Sequence, residues 1–197
     1  MLAGLAVAVA VGLALAAEPP GCAPLVPATL DNETLAGLLG EWIYLVGSSK
    51  YPPHLQELQA LKHAIFFFHP GDHEDELGVT EIMRMNETCV TRNSSKIHIF
   101  RHNGTLAHVD GQVVATAELI RSDKDLLILK HINDGFPGLS LSARSHNVSK
   151  EQLEEFRAQL ACHKFDDNEI FLASEKDACP LPGEQPDEDG EAAPQPA

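Results

Sequence analysis

The sequence predicts an all-β domain, an antiparallel sandwich or barrel, with one helix near its C-terminal end. Eight short strand patterns recur at regular spacing through residues 42–143. Turn dipeptides such as Asn103-Gly104 and Asp110-Gly111 separate most of them, and such turns join antiparallel neighbours. One strong helix signal follows the eighth strand. This order favours an antiparallel architecture over a fold that alternates strands and helices.

Most of the strand segments contain β-branched or aromatic residues, and several alternate between two faces. Gly40 and Glu41 precede the first strand at Trp42, and Ile65 with three phenylalanines fills the second. The eight predicted strands are residues 42–46, 63–69, 79–85, 96–102, 105–109, 113–120, 126–132 and 139–143.

The helix after the strands has a clear start signal and one apolar face. Ser149 and Gln152 form a capping box, and Leu153, Phe156 and Leu160 recur at helical spacing. We therefore expect this helix to pack flat against the sheet. A shorter helix at 53–61 and a final short strand at 170–173 are also expected.

The two ends of the chain differ in composition from the segment between them. Residues 2–17 are an uncharged run of Leu, Ala, Val and Gly, shorter than the roughly 20 residues of a bilayer span. This pattern predicts a signal peptide at 1–17, with an uncleaved anchor as the alternative. Residues 182–197 hold five acidic residues among prolines and predict a disordered acidic tail. The folded domain is expected to span 18–181.

The net charge of the chain limits the partners that it can bind. The formal net charge is −15 with only 14 Lys and Arg, which argues against nucleic acid as a partner because phosphate binding needs a basic surface. No stretch after the signal peptide is long enough to span a membrane, so we expect a soluble mature chain without stable membrane insertion.

Four cysteines predict two disulfides in an exported chain. Their spacing matches no zinc motif, and an even count leaves no free thiol for catalysis. Three pairings are possible from the residues alone. The cysteines are Cys22, Cys89, Cys162 and Cys179.

Five Asn-x-Ser/Thr tripeptides lie behind the signal peptide and predict a heavily glycosylated, secreted protein. The alternative is a set of unused surface asparagines. The predicted glycan sites are Asn32, Asn86, Asn93, Asn103 and Asn147.

Signs of catalysis or of a metal are weak. Residues 69–76 contain two His and four acidic side chains, but a solvated acidic loop is the preferred interpretation over a metal site. There is no Gly-x-Ser-x-Gly nucleophile motif. We therefore expect no catalytic residues, no metal, no cofactor and no enzymatic activity.

Eight strands, a following helix and Gly40-Glu41-Trp42 at the start of the first strand resemble the lipocalin family. Within it, several segments resemble the alpha-1-acid glycoproteins, including the egg-white ovoglycoprotein form. These segments are Asn32-Glu33-Thr34-Leu35, Gly40-Glu41-Trp42-Ile43-Tyr44, Phe66-Phe67-Phe68, Asn103-Gly104-Thr105, Gly138-Leu139-Ser140, Lys150-Glu151-Gln152-Leu153 and Lys176-Asp177-Ala178-Cys179.

The resemblance implies an eight-stranded antiparallel up-and-down barrel with a C-terminal helix, closed at one end by Trp42. It also implies the disulfides Cys22–Cys162 and Cys89–Cys179. The function that it implies is transport: a secreted, acute-phase type carrier of small hydrophobic or basic ligands, such as steroids and drug-like amines, in plasma or egg white. We expect a monomer.

Candidate ligand contacts come from residue types and from this resemblance. They are Tyr44, Phe66, Phe68, Glu81, Phe100, His108, Ser140 and Ser142. Apolar and aromatic walls with few polar groups suit a small-molecule pocket, although Phe66 and Phe68 could instead be plain core. His108 stands where the family commonly has Arg, and Ser142 where it has Tyr, so a wider and less aromatic mouth is expected.

Glu81 is the most specific candidate. It alternates with Val79 and Met83, so an inward face would place a lone carboxylate inside an apolar cup, where a cationic ligand would offset its burial. The family pattern also has an acidic contact residue there. The alternative orientation points Glu81 outward and Arg84 inward. A second function hypothesis is immunomodulation by the glycan coat and acidic surface, with an incidental pocket.

Overall fold

The structure, a computed structural model, describes residues 22–110, 113–122 and 124–181. The predicted signal peptide at 1–17 and the predicted tail at 182–197 lie outside the described residues. Within the described ranges, every helix is too short or too polar to cross a bilayer.

The described residues form nine strands and three α-helices. In chain order they are α1 Asn32–Leu38, β1 Gly40–Ser49, α2 Pro52–Ala60, β2 Leu61–Pro70, β3 Glu76–Met85, β4 Thr88–Phe100, β5 Thr105–Asp110, β6 Val113–Ser122, β7 Leu126–Asn133, β8 Phe136–Ala143, α3 Lys150–Cys162 and β9 Ile170–Leu172.

The strands β1 to β8 form a closed antiparallel barrel. Each strand pairs with its neighbour in sequence, and β1 closes the ring by pairing with both β2 and β8. Closure leaves no unpaired edge between the eight strands. Where β2 no longer pairs with β1, β9 pairs with residues 46–48 of β1 instead. The predicted eight-stranded barrel is therefore confirmed.

The barrel is closed at the end where β1 begins. Trp42 is fully buried there, and its indole N–H donates to the Leu38 carbonyl at 2.8 Å. The Arg144 guanidinium lies 3.7 Å from the centre of the Trp42 ring and donates to the carbonyls of Gly37 and Leu39, both at 2.8 Å. These bonds satisfy carbonyls at the end of α1, which would otherwise lack partners.

The C-terminal helix α3 packs on the outside of the barrel. Ser149 and Gln152 make both hydrogen bonds of the capping box, and Phe156 and Leu160 are buried against strand residues that include Leu139. The helix therefore leaves the barrel interior free for other side chains.

Two disulfides hold the ends of the described chain, one to the end of α3 and the other to β4. Cys22 pairs with Cys162 and Cys89 with Cys179, with Cα–Cα distances of 5.5 and 5.8 Å. These are the two pairs that the family resemblance implies. Arg84, on the outer face of β3, donates to the Asp177 carbonyl at 2.7 Å and so holds the segment beside the second bridge.

Candidate ligand site inside the barrel

Strand register identifies the side chains that face the interior, because residues paired across neighbouring strands share one face of the sheet. Trp42 lies opposite Phe66, Phe66 opposite Glu81, and Glu81 opposite Arg92. All four therefore point inward. The inward positions also include Tyr44, Ala64, Phe68, Val79, Met83, Ile97, His108, Ala117, Leu129, His131, Ser140 and Ser142.

The interior has one aromatic wall. The Tyr44 ring meets Phe66 edge-on with centroids 5.6 Å apart, and Phe171 from β9 stacks on Tyr44 at 5.9 Å. Gly47 makes room for the Tyr44 hydroxyl, which occupies the space that a Cβ would need. Phe68 lies deeper and packs against the cluster around Trp42. Burial raises the pKa of Tyr44 above its usual value, so its hydroxyl stays neutral.

A neutral polar group lies on β7 and β8. His131 and Ser140 share a hydrogen bond of 2.8 Å inside the barrel, and the buried Ser142 lies two residues further along β8. Burial, assisted by nearby His54, lowers the pKa of His131 to about 4. The imidazole is therefore uncharged at neutral pH and offers one donor and one acceptor nitrogen.

Three charged side chains meet near the open end. The Glu81 carboxylate lies 3.9 Å from the Arg92 guanidinium, which also donates to Glu57 of α2 at 3.0 Å. The Glu81 side chain is 15 % exposed. The expectation of a lone carboxylate is therefore wrong, because the register places Arg92 directly opposite. Two carboxylates share one guanidinium, so the group keeps one net negative charge.

The helix α2 lies over the open end. It connects β1 to β2, and it reaches β7 through a 3.0 Å hydrogen bond between His54 Nδ1 and the Asn133 amide nitrogen. The Asn133 amide oxygen accepts from the Thr116 N–H at 3.2 Å. Glu57 reaches β4 on another side of the opening. Burial holds the pKa of His54 below its usual value, and Glu57 partly offsets that effect.

Phe100 does not line the barrel, and its prediction as a ligand contact is wrong. Ile97 and Ile99 take the inward positions of β4, so alternation turns Phe100 outward. Its ring is 44 % exposed and meets His102 edge-on, with centroids 6.3 Å apart. The other predicted contacts lie on the inner face.

Sequence reasoning missed five side chains of the site: His54, Glu57, Arg92, His131 and Phe171. His131 alternates with Leu129 along β7, so its inward direction could have been inferred from alternation. Arg92 lies in the part of β4 that precedes the predicted strand. Nothing in the sequence around His54 or Glu57 indicates that their partners are Asn133 and Arg92.

Two cations, one on strand β4 and one on the turn after it, offset part of the charge of the acidic loop at the closed end. Lys96 lies 2.7 Å from Asp72, and Arg101 lies 2.6 Å from Asp75. Across the described part of the chain, no group of three or more His, Cys, Asp or Glu side chains is arranged to hold a metal ion.

Comparison with known proteins identifies the family. A family model described as the ApoM domain matches residues 26–183. The chain belongs to the ApoM domain family of lipocalins. The alpha-1-acid glycoprotein of Bos taurus is 32% identical over 181 residues, covering 84% of each protein. That of Oryctolagus cuniculus is 31% identical over 169 residues, again covering 84% of each. The resemblance to alpha-1-acid glycoproteins is thus confirmed.

Solved structures show the same fold. A dog lipocalin allergen superposes with a TM-score of 0.58 at 18% identity, covering 73% of this chain and 97% of the allergen. A bovine odorant-binding protein variant has a TM-score of 0.56 at 19% identity, covering 74% of this chain and 99% of its own. The relatives are named as glycoproteins and the two structures as a lipocalin and an odorant-binding protein, and none of these names is that of an enzyme. Family and fold together make this ApoM domain protein a small-ligand carrier of the lipocalin type.

Proposed function

We propose that the protein is a secreted glycoprotein that carries small lipophilic molecules, neutral or basic, in the open half of its barrel. The observation that carries this proposal is the inner wall, where Tyr44, Phe66 and Phe171 stand near the His131–Ser140 pair. Aromatic surface binds the apolar body of a ligand, and a few fixed polar groups orient it. A steroid or a lipophilic amine fits this chemistry.

The preference for a basic ligand rests on the charge of the mouth. Glu57 and Glu81 share Arg92, so these three side chains together carry a formal charge of −1, which attracts a ligand ammonium. Because Arg92 donates to Glu57, the Glu81 carboxylate can accept from a cation without leaving Arg92 unpaired. We assign Glu81 to the charge of the ligand, Phe66 and Tyr44 to its rings, and His108, Ser140 and Ser142 to its polar groups.

Secretion is supported by three independent features. The leading segment has signal-peptide character, the described cysteines are all bridged, and the five sequon asparagines are all exposed. The relatives are named as glycoproteins, which agrees with a glycan coat here. We extend the proposal to an acute-phase type protein of plasma or egg white that acts as a monomer.

Native mass spectrometry of the purified, enzymatically deglycosylated protein tests the carrier function. The protein is incubated with an equimolar mixture of a neutral steroid and a lipophilic tertiary amine, and bound masses are read directly. We expect one ligand per chain, with the amine in excess. Phe66→Ala should weaken both complexes, whereas Phe100→Ala, on the outer face, should leave them unchanged. If neither ligand binds, or if both variants behave alike, the barrel is not the binding site.

A second candidate function is immunomodulation through the surface, and the exposure of every sequon asparagine favours it. In that case enzymatic removal of the glycans would abolish the response of immune cells, while Phe66→Ala would not. The carrier function predicts the reverse for ligand binding.

A further inference from the structure

We propose that α2 is a pH-sensitive lid on the ligand cavity, latched by a hydrogen bond that requires neutral His54, and that it opens as the pH falls below about 6.5. The inference rests on the proposed carrier function, because a lid matters only if ligands enter the barrel. It concerns regulation of that same site.

The position of α2 makes it a lid. His54 contacts Asn133 on β7, and Glu57 contacts Arg92 on β4. These strands stand on different sides of the opening, so the two contacts hold the helix across it. None of the nine α2 residues is buried, and the N-cap residue makes no side-chain capping bond. Leu58 packs only at the edge of the cluster of Leu61, Ala64 and Met83, and a helix without a buried residue belongs to the part of a fold that opens first.

The hydrogen bonds of Asn133 determine which form of His54 can close the latch. Its amide oxygen accepts from the Thr116 N–H at 3.2 Å, so its amide nitrogen points to His54 Nδ1 at 3.0 Å. An amide nitrogen only donates, so Nδ1 must accept and the ring proton must sit on Nε2. Protonated imidazole has no acceptor nitrogen. If the Asn133 amide turned over, its oxygen could accept from protonated His54, but it would then lose the hydrogen bond from the Thr116 N–H.

The titratable groups around His54 are consistent with a latch that opens when His54 is protonated. From the described residues, His54 is faced by Glu57 on its own helix, by His131 on β7 and by the ring of Tyr51, whose centroid is 5.2 Å away. Glu57 in turn accepts a hydrogen bond from Arg92 at 3.0 Å. His131 remains neutral between pH 5 and 7.5, since its pKa is about 4.

The sign of the effect follows from linkage. Burial depresses the pKa of His54 in the closed state, and Glu57 partly offsets this, whereas an exposed histidine in the open state has a pKa near 6.5. The open state therefore binds the proton more readily. Closure is fully favoured above the open-state pKa and weakens progressively as the pH falls from there towards the lower pKa of the closed state.

Release of a neutral probe, N-phenyl-1-naphthylamine, measures lid opening, because the probe itself does not titrate between pH 5 and 8. Stopped-flow fluorescence follows its displacement from the full secreted chain at pH 7.5 and 5.5. We expect release to be about twofold to tenfold faster at pH 5.5, the range that one lost hydrogen bond gives. The variant His54→Gln keeps an acceptor for Asn133 but cannot titrate, so its rate should not change with pH.

A second variant should reverse the direction in which pH changes the release rate. Asn133→Asp keeps an acceptor for Thr116 and prefers protonated His54, so release should become slower at pH 5.5 than at pH 7.5. The control His98→Gln changes an exposed histidine on the outer face of β4 and should behave like the wild type. Circular dichroism confirms that each variant is folded.

The outcomes separate the lid from the carrier function. A probe that binds but leaves the wild type at the same rate at both pH values overturns the lid alone. So does acid-stimulated release that survives in both His54→Gln and Asn133→Asp. A probe that does not bind at pH 7.5 overturns the carrier function, and the lid with it.

Discussion

Replacing Glu81 with Gln should weaken the binding of a basic ligand and spare that of a neutral one. The substitution removes one charge and keeps the size of the side chain. In the structure this carboxylate is mostly shielded from solvent, with 15 % exposure, and faces Arg92 at 3.9 Å. The mouth then changes from one net negative charge to none, because Glu57 and Arg92 balance each other.

The expected magnitude follows from the bond that is lost. A charge-assisted hydrogen bond contributes about 1.5–3 kcal/mol, which corresponds to a loss of roughly 10-fold to 150-fold in affinity for an ammonium ligand. Loss of the Glu81–Arg92 attraction adds little, since the Arg92 side chain is 46 % exposed and solvent screens the pair. A neutral steroid makes no such bond, so its affinity should change by less than about threefold.

Isothermal titration calorimetry at pH 7.4 measures both ligands against both proteins. The matched control is Glu118→Gln, since Glu118 also pairs across strands, with Lys130 at 2.8 Å, but on the outer face. Equal losses for the amine and the steroid would show that Glu81 supports the fold and does not select charge. Unchanged affinity for the amine would remove Glu81 from the binding site.

Three further predictions concern the rest of the molecule. Arg144→Ala should lower the free energy of unfolding by about 2–4 kcal/mol, because it removes the stack on Trp42 and the hydrogen bonds to α1 carbonyls. Urea unfolding followed by Trp42 fluorescence measures this change. A loss below about 1 kcal/mol would contradict the prediction. Treatment with an N-glycosidase should convert at least three of the five sequon asparagines to aspartate, read by peptide mass. Non-reducing peptide mapping should recover the two disulfides of the structure, and any free thiol would count against them.

Much of the fold could be predicted from local signals. Alternation and turn dipeptides located all eight barrel strands, since each is a separate pattern bounded by Gly or Asn. The N-terminal part of β4 was missed because the inward Arg92 interrupts the apolar alternation. Helix α1 was missed because it has only seven residues, although Asp31 caps it by accepting from the Thr34 N–H at 2.7 Å.

The candidate site could be predicted only in part. Phe66 and Glu81 were placed inward correctly, because β2 pairs with β3 in regular register from His63 to Pro70. Phe100 was placed wrongly because aromatic character was given more weight than its position after Ile99. The latch between His54 and Asn133 spans 79 residues, and no local pattern contains such a pair.

Arg92 contacts both the carboxylate assigned to the charge of the ligand and the carboxylate of the lid. It is bonded to Glu57 of the lid and attracted to Glu81 inside the barrel, so the two carboxylates compete for one guanidinium. An ammonium ligand on Glu81 removes one competitor and leaves Arg92 to Glu57, which strengthens the contact between the lid and β4. The two proposals taken together therefore predict that binding of a basic ligand and closure of α2 support each other, by the same free energy in both directions. A neutral ligand would lack this coupling. The charge of the ligand would then determine how firmly α2 closes over it.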